Sequence, residues 1–206
     1  MYALVKDNSI SKIITNPKAM VIGDVRYPAK IFQLWSESEL NAIGIFQVIT
    51  DSTNKKDEAY YINTNEQFDY ANNQVTRSWG TATPKRLEDE NAVDEDGKNI
   101  LDDDGNQVIN YGLKTEKKRI VKQQASGLLE KTDWYVIKAN EVTDFNVPEN
   151  ITTYRADVRA KSNEMENQID ACTTVEELET LYTYVNTGTE KNPVIERPLA
   201  EFPKEI

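Results

Sequence analysis

The spacing of apolar residues changes once along this chain, and that change does most to limit the fold. Up to Trp79, apolar and aromatic residues come in short runs or at alternating positions, as in strands whose side chains point to opposite faces. From Leu113 onward they recur at intervals of three and four, as in helices with one buried face. The chain therefore reads as α+β, with a β-rich N-terminal half of hairpins and one short helix. A C-terminal helical hairpin, a further short helix and an extended proline-rich tail follow.

Local signals divide this outline into four segments. Residues 1–58 form a small α+β module. Tyr2–Lys6 and Ile10–Ile14 are strands around a turn at Asp7-Asn8-Ser9, Pro17 breaks the second, and a loop runs on to Tyr27-Pro28. Ser36 and Glu39 have the spacing of a capping box for a helix of about two turns that Gly44 stops, and Ile45–Ile49 is a strand. Residues 59–112 hold an aromatic hairpin, Gln67–Tyr70 with Gln74–Trp79 around Asn72-Asn73, and then an acidic stretch. Between Glu88 and Asp104 there are nine acids and one lysine. Two octads stand in tandem there, Val93–Ile100 and Leu101–Val108, each with an Asp-Gly turn, and two such turns eight residues apart predict a short β-meander.

Residues 113–188 are the helical module. Leu113, Ile120, Val121, Ala125, Leu128 and Leu129 mark the apolar face of a first helix, with Lys114, Lys117, Lys118 and Lys122 opposite. A second helix starts after Pro148 and carries Ile151, Tyr154, Val158, Met165, Ile169 and Cys172 as a narrow stripe. A third opens at Thr173 or Thr174, with Glu176 or Glu177 as its capping partner, buries Val175, Leu178, Leu181, Tyr182 and Val185, and ends at Gly188. Residues 189–206, with Pro193, Pro198 and Pro203, form an extended strap whose Val194, Ile195, Leu199 and Phe202 need something to dock on.

Composition limits the chemistry. There is no histidine, which removes imidazole-based triads, zinc sites and proton shuttles. The net charge of −11 opposes binding to nucleic acid or to an anionic membrane. Cys172 is the single cysteine, so no internal disulfide forms, and it reads as a small buried apolar residue. The first residues lack the basic start and apolar run of a signal peptide, and no apolar run approaches the roughly 20 residues of a spanning helix. A chain made in the cytoplasm is expected.

Two stretches resemble known phage proteins. Gly127-Leu128-Leu129-Glu130-Lys131-Thr132-Asp133-Trp134, followed by Pro148 and then Tyr154-Arg155-Ala156-Asp157-Val158-Arg159, resembles the phage tail assembly chaperone family, with Val158 where leucine is usual and a longer intervening loop. Tyr2-Ala3-Leu4-Val5, Tyr27-Pro28-Ala29 and Ile43–Val48 resemble the leading module of tail-fibre assembly proteins. The resemblance implies a protein that helps a tail-fibre or other tail subunit fold, trimerise or attach, working in the host cytoplasm and in some members retained in the virion. The residues themselves nominate no enzyme and no cofactor, and an oligomer is possible. A permanent adaptor or decoration component of the particle is the alternative.

Within that reading Trp134, Asp133, Tyr154, Arg155 and Arg159 organise the helical module. Trp134 is expected to pack back across two helices. Tyr154 shares a face with Val158, Arg155 shares the next with Arg159, and Asp133 can pair with one of the arginines to hold the hairpin closed. The same residues also read as core and clasp of a helical domain that touches no partner. Leu199 and Phe202 on the strap are partner-binding candidates, against an intramolecular strap. The tyrosines and Trp79 of the aromatic hairpin read as sheet core before they read as a sugar platform.

The acidic octads offer Asp94, Asp96, Asp102 and Asp104 as hard oxygen ligands for calcium, but the EF-hand register fails. With Gly97 or Gly105 at the sixth position, the first ligand falls on Ala92 or Ile100. They read as a solvated acidic hairpin with no metal. A pair of acids acting on envelope polysaccharide would need to converge in a cleft; nothing in the sequence nominates such a pair.

Overall fold

The computed structural model describes residues 1–206, which divide into two compact units, Met1–Pro84 and Lys85–Ile206. The fold is α+β. The divide does not coincide with the boundaries at 58, 112 and 188 read from the sequence. The aromatic hairpin joins the first sheet, and the acidic octads belong to the same unit as the helices.

The first unit is built on one curled five-stranded sheet. In chain order its elements are β1 (Tyr2–Lys6), β2 (Ser9–Ile14), β3 (Met20–Ile22), β4 (Val25–Tyr27), α1 (Ile31–Leu34), α2 (Glu37–Ala42), β5 (Ile45–Thr50), β6 (Tyr61–Ile62), β7 (Gln67–Ala71), β8 (Gln74–Ser78) and β9 (Thr83–Pro84). The sheet order is β2-β1-β5-β8-β7, with β5 and β8 parallel and the other neighbours antiparallel. Both sheet hairpins turn on residues with positive φ, Asp7 and Asn8 in the first and Asn72 and Asn73 in the second. That backbone twist matches the strands it joins.

Alternation along the strands gives the sheet two apolar faces. Ala3, Phe46 and Val75 form the inner core, packed with Ile10, Ile13 and Tyr70. Leu4, Ile14 and Ile45 point the other way, onto Ile31, Phe32 and Leu40 of the two helices. Ser36 and Glu39 make the predicted capping box, each satisfying the other's backbone N–H, and Gly44 ends α2 at φ 82°. The stretch expected as a loop after Pro17 contains the β3–β4 hairpin, which turns at Gly23. Tyr60, Tyr61 and Trp79 are buried in this unit.

The second unit opens with β10 (Glu90–Asn91) and β11 (Ile109–Asn110) and continues with α3 (Leu113–Glu130), α4 (Asp133–Glu141), α5 (Glu149–Ala171), α6 (Val175–Tyr182), β12 (Val185–Asn186) and β13 (Ile195–Glu196). The octads between β10 and β11 do not form a meander. Each folds back on itself, through Val93 opposite Asn99 and Leu101 opposite Gln107. At the centre three backbones close a ring: Ala92 N–H donates to Val108, Val108 to Ile100, and Ile100 to Ala92, at 2.8–2.9 Å. The result is a three-armed junction, with β10 and β11 as its stem. The meander fails because Asp94 and Asp102 capture the N–H groups two and four residues ahead, closing each turn locally.

α3 and α5 form an antiparallel pair. Ile151, Tyr154, Val158, Met165 and Ile169 are buried along α5, as their spacing predicts, and Cys172 is buried just beyond. The lysines of α3 do not form a purely solvated face. Lys114 is buried and bonds the Glu88 carboxylate and the Asp170 carbonyl, while Lys118 meets Asp170 at 2.7 Å and Lys122 meets Glu166 at 3.2 Å. At intervals of four these lysines lie along the side of α3 that faces α5, and they help set its register. Ile120, counted with the apolar face, is exposed.

α6 carries the capping box of Thr174 and Glu177 and buries Val175 and Leu178. It stops at Tyr182, not Gly188, because Val185 turns outward to pair with Glu196 in a two-stranded ribbon. No helix of either unit is long and apolar enough to cross a membrane.

Candidate functional site

The segment carrying the Thr-Asp-Trp motif is where the second unit departs most from the sequence reading. It does not run from helix into loop. After α3 ends, Asp133–Glu141 forms α4, nine residues none of which is buried. A helix this short is marginal alone, so its place depends on what grips its ends.

One guanidinium does much of the gripping. Arg155 is 8% exposed, and its Nη1 donates to the Leu129 carbonyl at 2.8 Å and to the Thr132 hydroxyl at 2.7 Å. Its Nη2 meets Asp133 at 2.8 Å. The three contacts tie the C-terminal end of α3, the linker and the first turn of α4 to the middle of α5. Leu129 O is one of the carbonyls at a helix end that lack the regular partner four residues on, so a cation there also opposes the negative end of the helix dipole. Asp133, at the positive end of α4, gains from that dipole in the same way. Thr132 is buried and donates to Leu129 O at 2.9 Å, completing the clasp.

The other named residues separate. Tyr154 is buried with Ala125 and Val158, against Leu128, Leu129 and Phe202. Arg159 takes no part in the clasp; it is exposed and donates to the Arg155 carbonyl at 3.3 Å. One turn on α5 thus places one arginine inside and one outside.

Trp134 does not pack back across the helices. It is 51% exposed, stacked on Tyr135 with ring centroids 3.8 Å apart and facing Phe145 at 6.4 Å. The Lys138 ammonium lies 4.3 Å from the Phe145 centroid and 5.8 Å from that of Trp134, within cation–π range. Val136, Ile137 and Val142 are exposed on the same short stretch. The reason is steric order along the chain: Arg155 takes the inward position at Thr132-Asp133, so the next side chain is turned outward.

The strap is intramolecular. Leu199 is 1% exposed and its N–H donates to Leu181 O at 3.0 Å, so it is not free to meet a partner as the sequence allowed. Gln168 of α5 holds both sides of it, donating to Pro198 O and accepting from Ala200 N–H at 3.1 and 2.8 Å. Phe202 covers the Tyr154 cluster, also inside this unit.

The octad carboxylates do not converge. Asp94 and Asp102 spend an oxygen on their own turns, and no group of three or more acidic or thiol side chains is placed to hold a metal ion. Asp102 lies below the usual carboxylate range because the Asn106 backbone and side chain bond it. Glu39, Asp51 and Glu177 are lowered by hydrogen bonds in caps and turns as well. Burial pushes the Cys172 thiol up, away from the nucleophilic form.

The chain matches no family model, no curated protein and no solved structure. The site is therefore read from its own geometry and from the motif residues.

Proposed function

We propose that this chain is a bacteriophage tail-associated protein that acts by binding a tail-fibre or other tail subunit, assisting its assembly or attachment. The observation that carries the reading is the position of Trp134. It stands half exposed on a helix with no buried residue, and the Arg155–Asp133 pair anchors that helix to the α3–α5 pair. Tryptophan and tyrosine are among the residues that most often dominate protein–protein contacts. A surface built this way suits docking. The motif residues 127–134 and 154–159 supply the link to tail assembly.

The test is co-expression of the fibre gene next to this one, with the intact chain, with Trp134→Ala, and without the chain. Co-purification and raised fibre solubility are expected with the intact chain, and both should fall with Trp134→Ala while its circular dichroism stays unchanged. No co-purification and unaltered fibre solubility would rule the reading out. Mass spectrometry of purified particles separates a transient assembly factor, absent from the particle, from an adaptor retained in the virion.

A further inference from the structure

α4 is gripped at its first turn and bare along its outer side. In a helix, residues three and four apart share a face. Tyr135 and Ala139, both partly buried, mark the side turned toward the rest of the unit. Trp134, Ile137, Lys138 and Glu141 fall together on the opposite side, and all four are exposed, Ile137 at 55%. A single exposed apolar residue is ordinary, but a tryptophan and an isoleucine one turn apart on an uncovered helix form the kind of patch that marks a contact.

Charge indicates what covers it. The stripe carries one base, Lys138, and one acid, Glu141, and neither is in an ion pair. Lysine ahead of glutamate is the weaker order for pairing within one helix. An acidic partner surface would repel Glu141 and a basic one would repel Lys138. The matching surface carries both signs in reverse order, and the same stripe turned end over end by a two-fold axis is such a surface. With the axis between Ile137 and Lys138, Trp134 lies opposite Glu141 of the second copy, and the two Ile137 side chains meet at the axis. Helical side chains lean toward the N-terminus. The Lys138 ammonium accordingly lies 5.8 Å from the Trp134 ring centroid, on the side where Glu141 of the second copy would stand.

We propose that the outer stripe of α4 is a contact between two copies of this chain, paired antiparallel about that axis and held by two reciprocal Lys138–Glu141 ion pairs. The proposal rests on the reading of this face as a docking surface and adds what covers it in the free protein. α4 has nine residues and is about 14 Å long, too short to bury the roughly 800 Å2 per partner of a standard interface. The pairing is therefore weak and reversible, and a tail subunit that covers more of the face displaces the second copy.

The test is sedimentation equilibrium of the purified full chain at micromolar to submillimolar concentration. It compares the parent, Lys138→Glu, Glu141→Lys, the double exchange, and an equimolar mixture of the two single variants. A monomer–dimer equilibrium is expected for the parent. Each single variant sets like charges against each other across the axis and should associate about tenfold or more weakly. The double exchange restores both pairs, and so does the mixture, in which each chain supplies the sign the other lacks. Far-UV circular dichroism checks that the variants keep their helices. Ile137→Ser, which alters no charge, is the second variant and should weaken the dimer to a similar degree. A parent that stays monomeric, single variants that associate like the parent, or a mixture that stays monomeric overturns the proposal. The measurement uses this chain alone, so its failure is separate from a failure to co-purify with the fibre protein.

Discussion

Arg155 and Asp133 meet at 2.8 Å across two helices, but they contribute unequally: the arginine side chain is 10% exposed and the aspartate 51%. Removing the buried partner takes the charged donor from Leu129 O, which keeps its bonds from Thr132, and leaves the Thr132 hydroxyl without a donor, whereas removing the exposed one leaves the arginine both of its neutral acceptors. Arg155→Met is expected to destabilise the second unit by about 3 kcal/mol. Asp133→Asn should cost under about 1 kcal/mol, because solvent screens that side of the pair. Urea denaturation followed by circular dichroism measures both, and equal losses would contradict the asymmetry.

The strap depends on Leu199. Its side chain is 1% exposed, so Leu199→Ala removes buried methyl groups and leaves a cavity that costs about 2–4 kcal/mol. Limited proteolysis should then cut after residue 186 far faster than in the parent chain. An unchanged cleavage rate would show that the Gln168 bonds hold the tail without it.

Gly44 faces two obstacles. Its φ is 82°, and an added Cβ would lie 2.7 Å from the Val5 carbonyl oxygen, whose backbone N–H bonds Gly44 O. Gly44→Ala should destabilise the first unit by about 2 kcal/mol or more. Gly97 has a similar φ of 77° with nothing near its Cβ, so Gly97→Ala should cost only about 1 kcal/mol. Thermal melts of the two variants distinguish clash from backbone strain.

Glu177 is held below the ordinary glutamate value by hydrogen bonds from the Thr173 backbone and hydroxyl, with the Thr174 backbone adding to them. A carboxylate lowered on folding contributes stability that is present above its unfolded value, about 4.3, and lost as pH falls through the folded one. The chain should therefore lose stability on acidification below about pH 5. Glu177→Gln should be less stable than the parent at pH 7 and lose less on acidification, and parallel curves for the two would count against this role.

The three tryptophans should report three environments. Trp79 is 6% exposed, Trp35 is half-buried against Tyr27, and Trp134 is 51% exposed beside the Lys138 ammonium. Iodide should quench chiefly the Trp134 emission, aided by that positive charge. Trp134→Phe should remove most of the quenchable fluorescence while leaving the melting temperature nearly unchanged, and a large fall in melting temperature would mean the ring is buried in solution.

Features closed by neighbouring residues were the ones the sequence revealed. Both capping boxes, both positive-φ hairpin turns and the α5 stripe from Ile151 to Ile169 lie where their spacing places them, because each is decided within one or two turns of chain. Features that depend on distant partners were not legible. The parallel pairing of β5 with β8 joins Val48 to Val75, and no local pattern announces it. The lysines of α3 look like a solvated face until Asp170 and Glu166 are placed opposite them.

At the site, the Asp133–arginine pairing could be foreseen from charge and spacing, but the choice of Arg155 over Arg159 could not. The outward turn of Trp134 follows from a guanidinium that arrives from 21 residues farther along the sequence. Thr132, Asp133 and the two arginines of α5 stand in the sequence, but which arginine is buried does not.

The hydrogen-bonded ring of Ala92, Ile100 and Val108 has a practical consequence. Because the backbone closes behind each lobe, the chain enters and leaves a lobe at nearly the same point, and what lies beyond that point is mechanically isolated. A peptide tag or dye-attachment loop spliced next to Gly97 should lengthen one petal without disturbing the helices. The acidic clover thus provides a ready attachment point for labelling this protein.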